Sequence, residues 1–221
     1  FHFSPKIKLS WQAMQDLKVG LSVARAFRFP TVTELFQTTQ TGTGASAQLI
    51  NGNPNLKPED ALSSELATEY TLGDSKYWNS GRLRLSLFQE RVNNAIYSQN
   101  TLLANGSVAS VPSNVGQTQT YGIEFAGDAQ DVGIAGLDIS GNATWADSRI
   151  TQNTAADAAA LKAGPTAANP LAFLPSVGAR QPRVPEWRAS ATIAYRPTDK
   201  WNNSVSMRYS SSQFSQLNNT D

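Results

Sequence analysis

Polar and apolar residues alternate along most of this chain. Leu83, Leu85 and Leu87, for example, are separated by Arg84 and Ser86. Successive side chains of a β-strand point to opposite faces of its sheet, so this period of two predicts strands with one apolar and one polar face. The pattern recurs about eight times in segments of roughly ten residues, at residues 7–11, 18–24, 65–72, 82–87, 120–126, 137–145, 188–195 and 204–209.

The connectors between these predicted strands alternate between short and long. The short connectors are residues 12–17, 73–81, 128–136 and 196–201, and the long ones are residues 28–61, 94–114 and 148–183. In an up-and-down meander, every second connector lies at the same end of the sheet. Short turns at one end and long loops at the other are typical of outer-membrane β-barrels, whereas the crossing connections of a β-sandwich give no such rhythm.

Aromatic residues concentrate where strands meet connectors. Those near short turns are Trp11, Tyr70, Tyr77, Trp78, Tyr195 and Trp201, and those toward long loops are Phe27, Tyr97, Trp145, Trp187 and Tyr209. We expect two girdles at the two membrane interfaces, because an amphipathic ring is most stable at headgroup depth. The residues then predicted to face lipid are Leu66, Leu85, Ile123, Ile193 and Val205, with Ser206 facing the lumen. Parity alone fits a soluble barrel equally well, with the apolar face turned inward.

Composition narrows the possible functions. The 221 residues carry a formal net charge of +1, 16% charged residues, one histidine and no cysteine. Without a concentrated basic face, binding to nucleic acid is not expected. The lone His2 and the absence of cysteine leave no Ser-His-Asp arrangement, thiolate nucleophile or zinc–thiolate site, so we predict neither catalysis nor a bound metal or cofactor. No apolar run approaches the ~18 residues of a membrane helix.

Several blocks of the sequence resemble the TonB-dependent transporter family. They are ARAFRFPT at residues 24–31, ELF at 34–36, NGNPNLKPE at 51–59, FQERVNNAI at 88–96, NVG at 114–116 and YGIEF at 121–125. The resemblance implies an all-β fold in which antiparallel, up-and-down strands form part of a large transmembrane barrel of about 22 strands. Residues 1–221 are then expected to be a partial barrel domain of about eight strands, with the plug domain and the terminal strands outside this sequence.

The resemblance also implies a function, which is uptake of a metal chelate across the outer membrane of a Gram-negative bacterium. A ferric siderophore is the commonest ligand of the family, and haem, cobalamin or copper are the alternatives. The implied partners are this chelate, the protein's own N-terminal plug domain, the TonB energy-transducing complex reached through the N-terminal region, and outer-membrane lipid. Nucleic acid is not among them, and no reaction is catalysed.

Two glutamates, Glu65 and Glu124, fall on the polar face of their strands, which is the lumen of a membrane barrel. Glutamates at matching positions of the family pair with arginines of the plug, so the resemblance implies that these two contact the plug. Arginine and aromatic side chains near the long loops would suit an anionic or catecholate chelate. The candidates for this ligand vestibule are Arg25, Arg28, Phe29, Phe36 and Phe173.

Two other interpretations stay open on the sequence alone. Eight strands can close into a small membrane barrel with a filled interior, which would act as an adhesin or an anchor. The same alternation can also build a soluble β-barrel that serves as a binding module. The blocks of family resemblance and the rhythm of the connectors favour the transporter over both.

Overall fold

The computed structural model of this chain describes residues 1–41, 48–102, 108–153, 157 and 175–219. The strands in these ranges are β1 Lys6–Met14, β2 Leu17–Arg28, β3 Thr38–Thr41, β4 Gln48–Asn51, β5 Glu59–Leu72, β6 Ser80–Leu102, β7 Val108–Gln130, β8 Leu137–Gln152, β9 Trp187–Thr198 and β10 Trp201–Ser210, and the helix is α1, Val32–Phe36. No helix of the described residues is long and apolar enough to cross a membrane.

Eight of the strands form one continuous antiparallel meander. Their order across the sheet is β1-β2-β5-β6-β7-β8-β9-β10, and each neighbouring pair on this path is antiparallel. The predicted all-β fold of antiparallel, up-and-down strands is therefore confirmed. We call the end of the sheet that carries connectors 29–58 and 153–186 the long-loop end, and the opposite end the short-turn end.

One predicted long connector, 94–114, is largely strand instead. Cross-strand pairs between β6 and β7 continue from Ala95–Val115 to Leu102–Val108. Each of these two strands has 23 residues, about twice the 9–11 that span a bilayer. The prediction was wrong here because apolar alternation marks only the part of a strand whose two faces meet different surroundings. A hydrogen-bonded ladder in water needs no such pattern.

The connector between β2 and β5 contains structure that period-two alternation does not predict. The helix α1 begins with a capping box, in which the side chain of Thr31 accepts a hydrogen bond from the backbone of Glu34 and the carboxylate of Glu34 accepts one from the backbone of Thr31. The hairpin of β3 and β4 follows, and β4 lies parallel to β7 through its residues 49 and 50. The connector is thus folded back onto the sheet.

The register identifies the two faces of the sheet, because directly opposite residues of an antiparallel ladder point the same way. One row of cross-strand partners consists of Leu9, Leu21, Leu66, Leu87, Ile123, Trp145 and Trp187. We call this side the apolar face and the other the polar face. The register puts the five residues predicted to face lipid on the apolar face and Ser206 on the polar face, where it is paired with Thr192.

The described residues bury few side chains, because a sheet that is one layer thick has no second layer to pack against. A small cluster of Ala95, Val115 and Ile150 is buried at the long-loop end, where Tyr97 and Leu217 pack against it. Tyr97 was predicted to belong to an aromatic girdle. Its ring packs against this cluster, on the part of β6 that continues beyond the predicted strand.

Candidate functional site on the polar face and at the long-loop end

Carboxylate side chains of the polar face concentrate on β5, β6 and β7. Glu65 on β5 forms an ion pair with Arg84 on β6, with 2.5 Å between Oε1 and Nη2. The Nε of Arg84 also donates a hydrogen bond to Oγ of Ser86 at 3.0 Å. Glu65 therefore already has a cationic partner within the sheet.

Glu124 on β7 lies on the same face in a different environment. Its carboxylate accepts a hydrogen bond from Oγ1 of Thr144 at 3.3 Å, and no Lys or Arg of the described residues forms an ion pair with it. Glu65, Glu90 and Glu124 line one shallow groove with Lys6 at its side. The groove thus has an excess of carboxylates. Of the three, only Glu65 is paired with a described cation, because Glu90 accepts a hydrogen bond from Ser63 and Glu124 one from Thr144.

The polar face changes from charged to hydroxyl-lined across the sheet. A groove over β1, β2 and β5 is lined by Lys8, Lys18 and Glu69 among others. Across β8, β9 and β10 the face presents mainly Ser, Thr and Asn, which bond to one another, as in the 2.9 Å contact between Thr192 and Ser206. This division was not predicted from the sequence, although parity on each strand was enough to find it.

Arg28, at the end of β2, links the helix α1 to the sheet. Its Nε donates to Oε2 of Glu59 at 2.6 Å, and its Nη1 lies 3.1 Å from Oε1 of Glu34. Burial acts to raise the pKa of Glu34, but hydrogen bonds from Thr31 and Arg28 outweigh it and hold that pKa below its ordinary value. The Arg28 guanidinium thus has two carboxylate partners within the chain and fastens α1 against β5.

Arg25 lies on the apolar face of β2. Its Nε and Nη2 donate to the two carboxylate oxygens of Asp60 at 2.8 and 2.7 Å, and its guanidinium lies over the ring of Phe27, 4.9 Å from the centroid. The ring of His2 packs edge-on against Phe27 and Phe29, with centroids 4.7 and 5.1 Å apart. Aromatic rings and a paired arginine thus form one cluster at the rim of this face.

The predicted vestibule residues therefore fall into two groups. Arg25 and Phe29 belong to the cluster around Phe27, whereas Arg28 and Phe36 lie beside or within α1. The residues Phe29 and Phe36 are 57% and 66% exposed, so both are accessible to a ligand. Phe173 lies outside the described residues.

A second cluster at the long-loop end was not predicted from the sequence. Arg180 forms an ion pair with Glu186, with 2.6 Å between Nη1 and Oε2, and Glu186 also accepts a hydrogen bond from Nε1 of Trp145 at 3.2 Å. Hydrogen bonds from Arg180 and then from Trp145 hold the pKa of Glu186 below its ordinary value. Beside this pair, Gln181 donates to the hydroxyl of Tyr97. The cluster joins the connector before β9 to β6 and β8, and sequence spacing gives no sign of it.

The block at residues 51–59 is held against β7 by side-chain amides. Asn114 donates to the carbonyl of Lys57 at 2.9 Å and accepts from its backbone nitrogen at 2.8 Å. Asn53 donates to the carbonyl of Pro112 at 3.0 Å. A Cβ on Gly52 would lie 2.6 Å from backbone atoms of α1, so the close approach of the helix requires glycine there.

Comparison with known proteins identifies related sequences. The model of the family described as TonB dependent receptor-like, beta-barrel, matches residues 1–221. An iron-regulated outer membrane virulence protein of Vibrio cholerae is 28% identical over 133 residues, covering 56% of this chain and 19% of that protein. The chain therefore spans about a fifth of the length of the curated relatives it matches.

Solved structures share the fold at low identity. The siderophore receptor PirA of Pseudomonas aeruginosa superposes with a TM-score of 0.61 and 16% identity, covering 94% of this chain and 34% of that one. A ferric enterobactin receptor variant of the same organism gives 0.59 and 17%, covering 94% and 27%. The copper transporter OprC gives 0.58 and 16%, covering 92% and 26%. At these identities, the likeness establishes the fold alone.

Proposed function

This chain belongs to the TonB-dependent receptor β-barrel family, and we propose that it forms part of the wall of a receptor that takes up a ferric siderophore by active transport. Members of the family are outer-membrane transporters of Gram-negative bacteria and not enzymes, so this chain is an outer-membrane protein. In this proposal, residues 1–221 are a partial barrel domain. The plug and the remaining strands lie elsewhere in the protein.

The division of the sheet into two faces is the observation that carries the proposal. The apolar face leaves large side chains uncovered, with Leu66 and Ile123 each 44% exposed, as suits a surface that the bilayer covers. The opposite face carries ion pairs and hydroxyl groups, as suits a lumen filled by water and a plug. A soluble module would need a second layer of protein over the apolar face.

A ferric siderophore is the ligand class that the relatives favour. The Vibrio relative is named for its regulation by iron, and two of the similar structures are named as a siderophore receptor and a ferric enterobactin receptor. The copper transporter has the same fold, so the metal needs a test of its own.

Glu124 is the wall residue that we propose as a contact of the plug. It has no cationic partner among the described residues, so an arginine of the plug can pair with it without displacing another. Glu65 is also proposed as a plug contact, but it would reach the plug as one half of its ion pair with Arg84. The TonB complex would act on the plug region, outside this chain.

The exposed rings at the long-loop end are the ligand contacts that we propose. Phe29 and Phe36 are accessible, and Phe173 stays a candidate from the sequence. Arg28 is better suited to docking α1 than to binding a chelate, because Glu59 and Glu34 already take its donors. Arg25 is less well placed to bind a chelate, because it lies on the apolar face of β2 and is already paired with Asp60.

A binding screen with the purified full-length receptor tests the ligand class. The five tryptophans of this chain supply part of an intrinsic fluorescence signal that a coloured chelate quenches. Saturable quenching by a ferric siderophore, with weaker quenching by the iron-free form, is the expected result. Saturable quenching by a copper chelate, haem or cobalamin and by no ferric siderophore would contradict the proposed ligand.

A further inference from the structure

Arginines occupy the apolar face along one row at its long-loop end. From β2 to β8, the row consists of Arg25, Leu62, Arg91, Gln119 and Arg149. The isolated bridge between Arg149 and Arg180 extends the row by one position. Neighbouring strands lie 4.7–4.9 Å apart, so the arginines on alternate strands are spaced about 10 Å apart.

This row lies at the edge of the apolar band. Four residues closer to the short-turn end on each strand, the same face presents Leu21, Leu66, Leu87 and Ile123 in register. The face thus changes from apolar to charged within about 13 Å of strand. Arginine on the lipid side of a barrel is costly at mid-membrane but not near the interface, so the row is placed at headgroup depth.

Arg91 differs from the arginines beside it. Arg25 pairs with Asp60 at 2.7 Å, and Arg149 pairs with Asp147 at 3.0 Å. Arg91 is exposed, and within the part of the chain that the structure describes it forms no ion pair. It is therefore the uncompensated positive charge of the row.

We propose that Arg91, flanked by Arg25 and Arg149, binds a phosphate group of an anionic lipid headgroup in the outer leaflet. A guanidinium donates two parallel hydrogen bonds to phosphate oxygens, which suits Arg better than Lys to this task. Among the described contacts, Arg25 keeps Nη1 free and Arg149 keeps Nη2 free, so each flanking side chain can add one donor.

The position of the row selects a lipid as the source of the phosphate. The row borders the face that the bilayer covers, and a headgroup at that depth is present at high local concentration. The row lies on the outer surface of the wall, so this lipid site is separate from uptake of a chelate, which involves the other face and the long loops.

The test uses the full-length receptor in phosphatidylcholine nanodiscs. The nanodiscs contain either lipid A with two phosphates or its dephosphorylated form. Native mass spectrometry counts the lipid molecules that stay bound to the receptor. The wild type is expected to bind the phosphorylated form at least ten times more tightly. Arg91→Ala should lower that affinity roughly tenfold, the loss of one charge-assisted contact. Arg91→Lys should restore part of it. Arg208→Ala, at an exposed arginine of the polar face on β10, is the matched control and should change nothing.

Three outcomes would overturn the proposal. The first is equal binding of the two lipids by the wild type, a result that does not depend on any variant. The second is an unchanged lipid affinity in Arg91→Ala. The third is a loss of lipid affinity in Arg208→Ala equal to that in Arg91→Ala. Millimolar inorganic phosphate is then added as a competitor of the bound lipid. The lipid should stay bound, whereas full displacement would mean that the site takes free phosphate. Uptake of chelate by Arg91→Ala is measured separately. This measurement distinguishes a failure of the lipid-binding proposal from a failure of the proposed transport function.

Discussion

Glu65 and Glu124 show how much a single residue's role depends on its cross-strand neighbours. Both lie on the polar face, two strands apart, yet Glu65 is paired with Arg84 and Glu124 accepts a hydrogen bond only from a threonine hydroxyl among the described contacts. An unpaired carboxylate can pair with an incoming arginine without losing an existing bond. The two residues should therefore respond differently to substitution.

Glu124→Gln in the full-length receptor is expected to loosen the plug more than Glu65→Gln does. The contact is worth about 0.2–1 kcal/mol if it is solvated, and more if the plug excludes water from it. Cells that carry Glu124→Gln should become more sensitive to bulky antibiotics, while ligand affinity at the outer face stays normal. Loss of ligand binding with intact exclusion of antibiotics would instead assign Glu124 to the ligand site.

Parity predicted the face of these glutamates but not their partners. A period of two is a local property, so the chain itself shows which side chains share a face. Arg84 lies 19 positions from Glu65, and their contact depends on the register between β5 and β6, which a sequence does not give. The same holds for Arg25 and Asp60. The sequence identified Arg25 as a candidate but not the carboxylate that already binds it.

At the scale of elements, α1 depends on charged contacts for its docking. Arg28 joins Glu34 of the helix to Glu59 of β5, and Gly52 allows the helix to approach closely. The capping box of Thr31 and Glu34 was visible in the sequence as T-x-x-E and could have predicted this helix. The strand extensions of β6 and β7 could not be predicted in this way, because no apolar period continues into them.

Arg28→Ala is expected to release α1 from the sheet. Arg28 is 44% exposed and its two carboxylate partners are less so. Loss of these ion pairs should weaken docking by about 1 kcal/mol, or roughly fivefold in the population of the undocked connector. Limited proteolysis of the full-length receptor at residues 29–37 should accelerate by that factor. Arg82→Ala removes an ion pair with Asp128 at the other end of the sheet and is the matched control. Equal acceleration in both variants would contradict a specific role for Arg28.

Docking of α1 is also expected to depend on pH. The pKa of Glu34 lies below its ordinary value of about 4.5, so its carboxylate is charged in the docked state over a wider range than when α1 is undocked. The contribution of Glu34 is therefore complete above about pH 4.5 and is lost as the pH falls through the lowered pKa. Hydrogen exchange at residues 32–36 should show this loss in the wild type. In Glu34→Gln, the amides of these residues should exchange faster than in the wild type and without the same pH dependence. An identical pH profile in the two proteins would show that Glu34 does not cause the pH dependence of docking.

At the scale of the whole molecule, register and alternation together define a wall with two different surfaces. The apolar rows, the arginine row above them and the connectors folded back at the long-loop end all follow one up-and-down order of strands. The alternation of polar and apolar residues predicted this architecture, because the pattern within each strand identifies which side chains lie on each face. The hydroxyl-lined part of the polar face was not predicted, although parity on β8, β9 and β10, which are consecutive in the chain and in the sheet, was enough to find it.

Arginine substitutions compare the two faces directly. Leu66→Arg should destabilise the folded barrel by about 2–4 kcal/mol if the residue is at mid-membrane, whereas Ser206→Arg should cost much less, because a lumen side chain keeps its water. Reversible unfolding of the full-length protein in lipid vesicles measures both. Similar destabilisation by the two substitutions would show that the assignment of the faces is wrong.

Energised uptake of iron measures whether this receptor performs active transport. Iron-limited cells that lack the receptor and cells that carry the full-length receptor are given a radioactive ferric siderophore chosen from the binding screen, with and without a protonophore. Accumulation is expected only in cells with the receptor, and it should fall to the level of surface binding when the protonophore removes the proton gradient. Equal accumulation without the receptor, or accumulation that the protonophore leaves unchanged, would contradict active transport through this barrel.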